Sequence, residues 1–228
     1  MEVRWTARVE NPVAWTLLKV LVLIFCALIG VTDPAVAEQL GCGERRLGEF
    51  GPFDYRDPTA YAQYIKRVES NHFGRDIETL SPSVHNSKIG GDLDFVLRYA
   101  PNHHRALLTM VKYARKTKSA HPPGMRFSVD CWFSRARAMA ADDAKVPLIY
   151  GVYLMQSGRN QEAVKEFELA EQLSSGNDPN LLYNLGLAYA GVKRYEDARK
   201  MARKAYALGH PLPGLRNLLK RAGQWKEP

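Results

Sequence analysis

The chain has 228 residues, of which 46% are hydrophobic and 25% are charged, and its 32 Lys and Arg against 24 Asp and Glu give a formal net charge of +8. This length and apolar content predict one globular domain with a packed core, extended at most by a small cap. A chain of several large domains is therefore excluded.

The first 37 residues have the order of a secretory signal peptide. Three basic residues accompany an apolar run at residues 20 to 31, and Ala35-Val36-Ala37 supplies the small residues of a cleavage site. The run is shorter than the roughly 20 residues that a membrane-spanning helix needs. We expect cleavage after Ala37 and a periplasmic or secreted location, with an uncleaved N-terminal membrane anchor as the alternative.

The net charge indicates the class of partner. Cleavage would leave it at +8, because residues 1 to 37 hold three basic and three acidic side chains. An exported basic protein rarely meets nucleic acid, so acidic proteins, anionic lipid and cell-wall polymers are the expected classes. We expect a protein or peptide partner, with an acidic segment as one candidate, and membrane contact only through an uncleaved leader.

Residues 38 to 91 are expected to form an N-terminal cap segment. A helix is predicted from Thr59 to Val68, following Pro58. The stretch from Pro82 to Gly91 is polar and contains Gly90-Gly91 as a break, so a loop is expected there. Three aromatic residues indicate that the segment is ordered, as the terminal unit of a stacked fold requires: Phe53, Tyr55 and Phe73.

Helices are predicted from Asp92 onward. Apolar residues share one face over residues 92 to 100, and Asp92 is expected to cap the N-terminus of that helix. A helix pair should follow, with its first helix opening at His104 and its second over residues 129 to 140. The connection between them, residues 116 to 128, is long for a hairpin turn, and we expect it to serve as a contact surface.

Residues 144 to 212 contain two copies of one helix-hairpin pattern. Small residues recur 35 positions apart at three pairs of sites, which are Gly151 and Gly186, Ala163 and Ala198, and Ala170 and Ala205. A fixed period of this size indicates stacked supersecondary units. Apolar residues within each copy follow i, i+3, i+4 and i+7 spacing, which is typical of amphipathic helices.

The second copy resembles a tetratricopeptide repeat (TPR). Leu181 to Tyr189 is similar to the first helix of that repeat, and Tyr195 to Ala198 is similar to the start of its second helix. The family period is 34 residues. The resemblance implies an all-α solenoid of about three TPR hairpins at residues 104–143, 144–178 and 179–212, within a domain that spans 92–228 and ends in a capping helix at 213–225.

In this family the first helix of each repeat lines a concave face that binds peptides or proteins. Asn184 stands where family members often hold a peptide backbone, whereas Leu148 and Val152 replace the polar residues of the carboxylate clamp that binds chaperone tails. The implied face grades from basic in the first repeat to apolar in the second. Its predicted partner-binding residues are Arg105, Lys112, Arg115, Lys145, Val152, Tyr183, Asn184 and Leu187. The alternative is that the basic residues form only a solvated helix face.

No residue pattern predicts catalysis or metal binding. His103 and His104 would point about 100° apart on a helix, so surface or capping roles are expected. Asp92 and Asp94 would also point to different sides of a helix. The sequence has no nucleophile motif, phosphate-binding loop or paired metal-ligand motif. We therefore expect no enzyme, catalytic residue, metal ion or cofactor.

The three cysteines predict one disulfide. Cleavage after Ala37 would remove Cys26 and leave Cys42 and Cys131 as an even pair in an oxidising compartment. A bond between them would join the cap segment to the repeats. The alternative is an inert buried thiol at Cys131 and a mobile Cys42.

Two classes of function remain open. The first is an exported TPR scaffold or adaptor that mediates protein–protein interaction in the cell envelope, and the lack of a catalytic pattern favours it. The second is an accessory subunit, or an enzyme, that acts on cell-wall or polysaccharide material. Capture of the natural partner would distinguish them.

Overall fold

The computed structural model describes Cys42 and residues 51 to 225, and within them the chain forms helices and no β-strand. The N-terminal elements are α1 (Pro58–Ala60), a π-helical turn (Tyr61–Ile65), α2 (Lys66–His72), α3 (Arg75–Glu78) and α4 (Asn86–Tyr99). The remaining elements are α5 (His104–Thr117), α6 (Val129–Met139), α7 (Lys145–Gln156), α8 (Asn160–Leu173), α9 (Pro179–Gly191), α10 (Tyr195–Ala207) and α11 (Gly214–Arg221). The predicted all-α solenoid is confirmed.

The predicted signal peptide and its cleavage site after Ala37 lie outside the described residues. The chain divides into two units, Met1–Leu40 and Gly41–Pro228, and every element named above belongs to the second. Among the residues that the structure describes, no helix has both the length and the apolar character needed to cross a bilayer.

Two helix hairpins form the centre of the solenoid, because α7 packs along α8 and α9 packs along α10. Gly151 faces Phe167, whose nearest ring carbon would lie 2.7 Å from a Cβ added at the glycine. A Cβ at Gly186 would lie 3.3 Å from the Cβ of Met201. The glycines that recur 35 positions apart therefore leave space for side chains of neighbouring helices, and at Gly186 the nearest of these is Leu215 of α11.

The pair formed by α5 and α6 departs from this geometry, because residues 118 to 128 connect its helices through a long loop. The loop packs onto α4: Asp94 accepts a hydrogen bond from the backbone N–H of Arg126 at 2.7 Å. The Tyr113 hydroxyl donates to the carbonyl oxygen of Pro123 at 3.0 Å. The loop is thus held by the rest of the fold through buried Pro122 and Met125, whereas His121 and Gly124 remain exposed. Its role as a contact surface stays a prediction.

The expected loop at residues 82 to 91 is wrong in its second half. Helix α4 begins at Asn86 and continues through Gly90 and Gly91 to Tyr99. Asp92 therefore lies inside the helix and does not cap it, and its carboxylate lies 2.9 Å from Nδ1 of His72. At Gly90 the loop after α5 approaches α4 so closely that an added Cβ would overlap the carbonyl oxygen of Pro123, whereas nothing lies within 4 Å of a Cβ added at Gly91.

Both ends of the repeat stack are covered. Leu215 and Leu219 of α11 are fully buried, and Trp225 packs against the same core. At the other end the predicted helix at residues 59 to 68 forms within a helical stretch from Pro58 to His72. Its N-terminus is capped by Asp57, which accepts from the backbone N–H of Thr59 at 2.8 Å.

The predicted disulfide is present. Cys42 and Cys131 are bonded with a Cα–Cα distance of 5.1 Å across a sequence separation of 89. Both residues are almost fully buried, and the carbonyl oxygen of Cys42 accepts a hydrogen bond from Arg135 at 3.2 Å. The bond fastens the start of the cap segment to α6, and it is expected of a protein in an oxidising compartment.

Candidate functional site: the face formed by the first helices

The first helices of the three pairs form one layer, because α5 lies beside α7 and α7 lies beside α9. The second helices are joined by ion pairs. Arg137 of α6 bonds to Glu166 of α8 at 2.5 Å, and Glu168 of α8 bonds at 3.2 Å to Arg194, the residue that precedes α10. The exposed side of α5, α7 and α9 is the face on which the predicted binding residues were placed.

The middle of this face is apolar. Leu148, Val152 and Met155 recur at a spacing of four and three residues on α7, so they form one stripe. Each is half-buried and packs against the core. Leu187 of α9 has the same environment, and Leu108 of α5 is 38% exposed. These side chains keep apolar surface open to solvent.

The α5 end of the face is basic. Lys112 and Arg115 are exposed, and neither forms an ion pair with another of the described residues. Lys112 contributes to the lowered pKa of Glu78, although the Arg105 guanidinium is the main cause. α5 therefore carries two exposed positive charges, and α5 is the helix that packs beside α7.

Arg105 has a structural role that the sequence did not indicate. Its Nε and Nη2 donate to Glu78 at 2.8 and 2.6 Å, and its guanidinium lies 5.2 Å from the ring centre of Phe73. The side chain therefore holds α3 and the end of α2 against α5. The side chain is still 47% exposed, so its role in partner binding stays a prediction.

Lys145 and Tyr183 are also engaged within the chain. The Nζ of Lys145 bonds to Asp178 at 2.9 Å, and Asp178 caps the N-terminus of α9. The Tyr183 ring is 9% exposed and stacks on His210 at 3.9 Å between ring centres. Asn184 remains half-buried on the face, where its Nδ2 donates to the carbonyl oxygen of Asn180 at 2.8 Å.

A buried polar junction joins the cap segment to the repeats, and sequence reasoning missed it. Asn102 is fully buried, and its Nδ2 donates to Asp54 at 2.7 Å and to Asp143 at 3.0 Å. His104 Nε2 lies 2.7 Å from the same Asp143 oxygen. The Arg56 guanidinium lowers the pKa of Asp54 to about 2. The partners are far apart in sequence, so no local pattern could have revealed the junction.

His103 lies at the edge of this junction. It caps the N-terminus of α5, which is one of the two roles expected for the histidines, but it is buried and therefore not a surface residue. Its Nδ1 accepts from the backbone N–H of Ala106 at 3.2 Å, so Nε2 carries the proton and donates to Glu69 at 2.7 Å. Burial lowers the pKa of His103 against the opposing effect of Glu69. The hydrogen bond from His103 lowers the pKa of Glu69.

The lowered pKa of His103 predicts a pH-dependent stability. Below about pH 6.5 the imidazole of His103 is protonated in the unfolded chain, whereas in the folded chain it takes up the proton only at lower pH. Acid therefore favours the unfolded chain, and the free energy of unfolding should fall as the pH decreases from 7 to 5. His103→Asn keeps a helix-capping oxygen and should reduce that slope. Urea unfolding at several pH values measures this dependence of the free energy of unfolding on pH. Equal slopes in the variant and the unaltered protein would contradict the role given to His103.

Among the described residues, no group of three or more His, Cys, Asp or Glu side chains is arranged to hold a metal ion. The face instead offers apolar side chains, two exposed cations and amide groups on a rigid helical layer. Such a surface can bind an extended or helical peptide through apolar contacts and charge.

Comparison with known proteins concerns the fold. No protein-family model and no curated protein matches the chain. A solved structure described as "Functional Characterization of Pseudomonas Aeruginosa pilF" is similar, with a TM-score of 0.53 and 18% identity over 70% of this chain and 71% of that chain. PilF contains TPRs. The likeness and the packing of α7 to α10 together show that this chain has a TPR-like helical-repeat fold.

Proposed function

We propose that the chain is an exported scaffold of the cell envelope that binds a segment of a partner protein on the face formed by α5, α7 and α9. The observation that carries the proposal is the half-buried apolar stripe of Leu148, Val152 and Met155 on α7, together with the exposed cations Lys112 and Arg115 on the neighbouring helix α5. A helical-repeat fold supports a role in protein interaction, and the disulfide supports export.

The chemistry of the face specifies the partner segment. Apolar side chains should contact α7, and an acidic side chain should lie near Lys112 and Arg115. Apolar burial would supply most of the affinity, because each fully buried aliphatic side chain contributes about 1.5 to 3 kcal/mol. The exposed charges would mainly set orientation, partner choice and the rate of association.

Reversing both cations should weaken partner binding. In-cell crosslinking and mass spectrometry first identify the partner protein that the tagged chain binds. Titration then measures the affinity of that partner for the unaltered chain and for the double variant Lys112→Glu/Arg115→Glu. We expect a loss of about tenfold at low salt, since two attractions become repulsions. The loss should shrink as salt rises, because exposed charges are screened within about 10 Å at 0.1 M.

The matched control is Lys165→Glu on α8, an exposed lysine of a second helix. It should bind the partner as the parent does. An affinity that is unchanged by the double reversal, or reduced equally by the control, would show that the basic residues form only a solvated helix face.

A further inference from the structure

The positive charge of the chain is concentrated at its C-terminal end. Residues 193 to 228 hold ten Lys and Arg against three Asp and Glu, which is +7 of the net charge of +8 for the whole chain. The rest of the protein is nearly neutral overall. The basic character that distinguishes this chain therefore belongs to α10, α11 and the residues around them.

An exposed apolar loop lies within this basic end. Residues 208 to 213 join α10 to α11, and they carry Leu208 at 46% exposure and Leu212 at 57%. Leu212 is the most exposed large hydrophobic side chain in the described part of the chain. Pro211 and Pro213 are exposed as well. Four exposed apolar side chains within six residues are unusual on a soluble surface and point to an interaction site.

The loop is held in a fixed conformation. The backbone N–H of His210 donates to Ala205 at 3.0 Å, and the His210 ring stacks on Tyr183. The Tyr206 hydroxyl donates to the carbonyl oxygen of Leu212 at 3.1 Å. The two leucines are thus exposed by an ordered structure and not by local fraying, so their exposure requires an explanation.

Basic side chains flank the loop on both helices. Lys204 lies in the last turn of α10, and its side chain stays 47% exposed although it lies 3.7 Å from Glu171. Lys200 is exposed one turn earlier. Arg216, in the first turn of α11, lies over the rings of Tyr206 and Trp225 at 4.5 and 5.5 Å. The apolar loop therefore lies between positive and aromatic side chains.

We infer that this end of the solenoid binds an anionic membrane surface, with Leu208 and Leu212 inserted into the apolar boundary and the flanking basic residues on lipid phosphates. Apolar side chains reach about 5 to 10 Å into that boundary in interfacial segments. The exposed Lys200 and Lys204 add attraction to anionic lipid. The surface belongs to α10, α11 and their connecting loop, whereas the proposed partner-binding face belongs to α5, α7 and α9.

The alternative occupant, an acidic protein, fits the surface less well. Protein hot spots are typically aromatic or Arg side chains in well-packed pockets. Here the apolar groups are aliphatic and stand on an exposed loop, while Tyr206 and Arg216 are occupied with contacts inside the chain. A fluid bilayer can accept such side chains without a matching pocket.

The test is co-sedimentation of the full chain with vesicles of phosphatidylcholine alone, or with about one-third phosphatidylglycerol. Any binding by the predicted leader is the same in every variant, and its three basic and three acidic side chains cancel, so the readout is the additional partitioning onto anionic vesicles. We expect Lys200→Glu/Lys204→Glu to lower it at least about thirtyfold, because loss of two basic residues alone removes about 1 kcal/mol each and the new carboxylates add repulsion. Leu208→Glu/Leu212→Glu should abolish it.

Control variants at other places on the protein distinguish binding at this local site from an effect of the overall charge or hydrophobicity of the chain. Lys66→Glu/Arg67→Glu makes the same charge change on α2, and Leu108→Glu changes an exposed leucine of α5; both should retain the anionic preference. Equal loss in test and control variants would overturn the inference. Binding of soluble polyglutamate without any preference for anionic vesicles would also overturn it and indicate an acidic protein.

Discussion

Replacing Gly90 with alanine should destabilise the fold by about 1 to 3 kcal/mol, near the upper end of that range. Gly90 is buried inside α4, and an added Cβ would overlap the carbonyl oxygen of Pro123. The obstacle is backbone, so it cannot rotate away as a side chain would. The loop after α5 would have to move, and the hydrogen bond from Tyr113 to Pro123 would be lost. Urea denaturation measures the change.

The neighbouring residue provides the control. Gly91 lies in the same helix, is exposed, and has no atom within 4 Å of an added Cβ. Gly91→Ala should therefore stabilise the protein by about 0.5 to 1 kcal/mol, because alanine loses less backbone entropy in a helix. If both substitutions changed the free energy of unfolding by the same amount and in the same direction, the described packing of the loop on α4 would be contradicted.

Loss of the disulfide should have the largest effect on stability. The bond between Cys42 and Cys131 closes a loop with a sequence separation of 89, for which the chain-entropy model gives about 4 to 5 kcal/mol. The double variant Cys42→Ala/Cys131→Ala should therefore unfold at a much lower denaturant concentration than the oxidised parent. Alanine at both sites avoids a free thiol that could form dimers.

A reductant provides the internal control for this prediction. It should lower the denaturation midpoint of the parent towards that of the double variant, and it should leave the midpoint of the variant unchanged. If the midpoint of the parent did not respond to the reductant, the disulfide would be absent or would not restrain the unfolded chain.

The sequence predicted the features that depend on regular spacing. Glycine at residues 151 and 186 indicated the close helix approaches, and the structure places Phe167 and Met201 there. The disulfide followed from cysteine number and the expected export. The capping role of α11 followed from its apolar face, and Leu215 and Leu219 are indeed fully buried.

Features that depend on distant contacts could not be predicted. Gly90-Gly91 looked like a loop, because the sequence does not show that residues 118 to 128 pack against α4. Arg105 looked like a binding residue, because its partner Glu78 belongs to a short helix without a periodic pattern. Tyr183 fitted the family alignment, but the turn around His210 covers it.

The most direct test of the proposed function is a site-by-site photo-crosslinking scan in cells. A photoreactive residue is placed at Leu148, Val152 or Met155 on α7, and at the exposed sites Gln161, Lys165 or Gln172 on α8. We predict that one protein forms adducts from all three α7 sites and from none of the α8 sites. The same adducts from both helices, or adducts from α8 alone, would contradict binding on the face formed by the first helices.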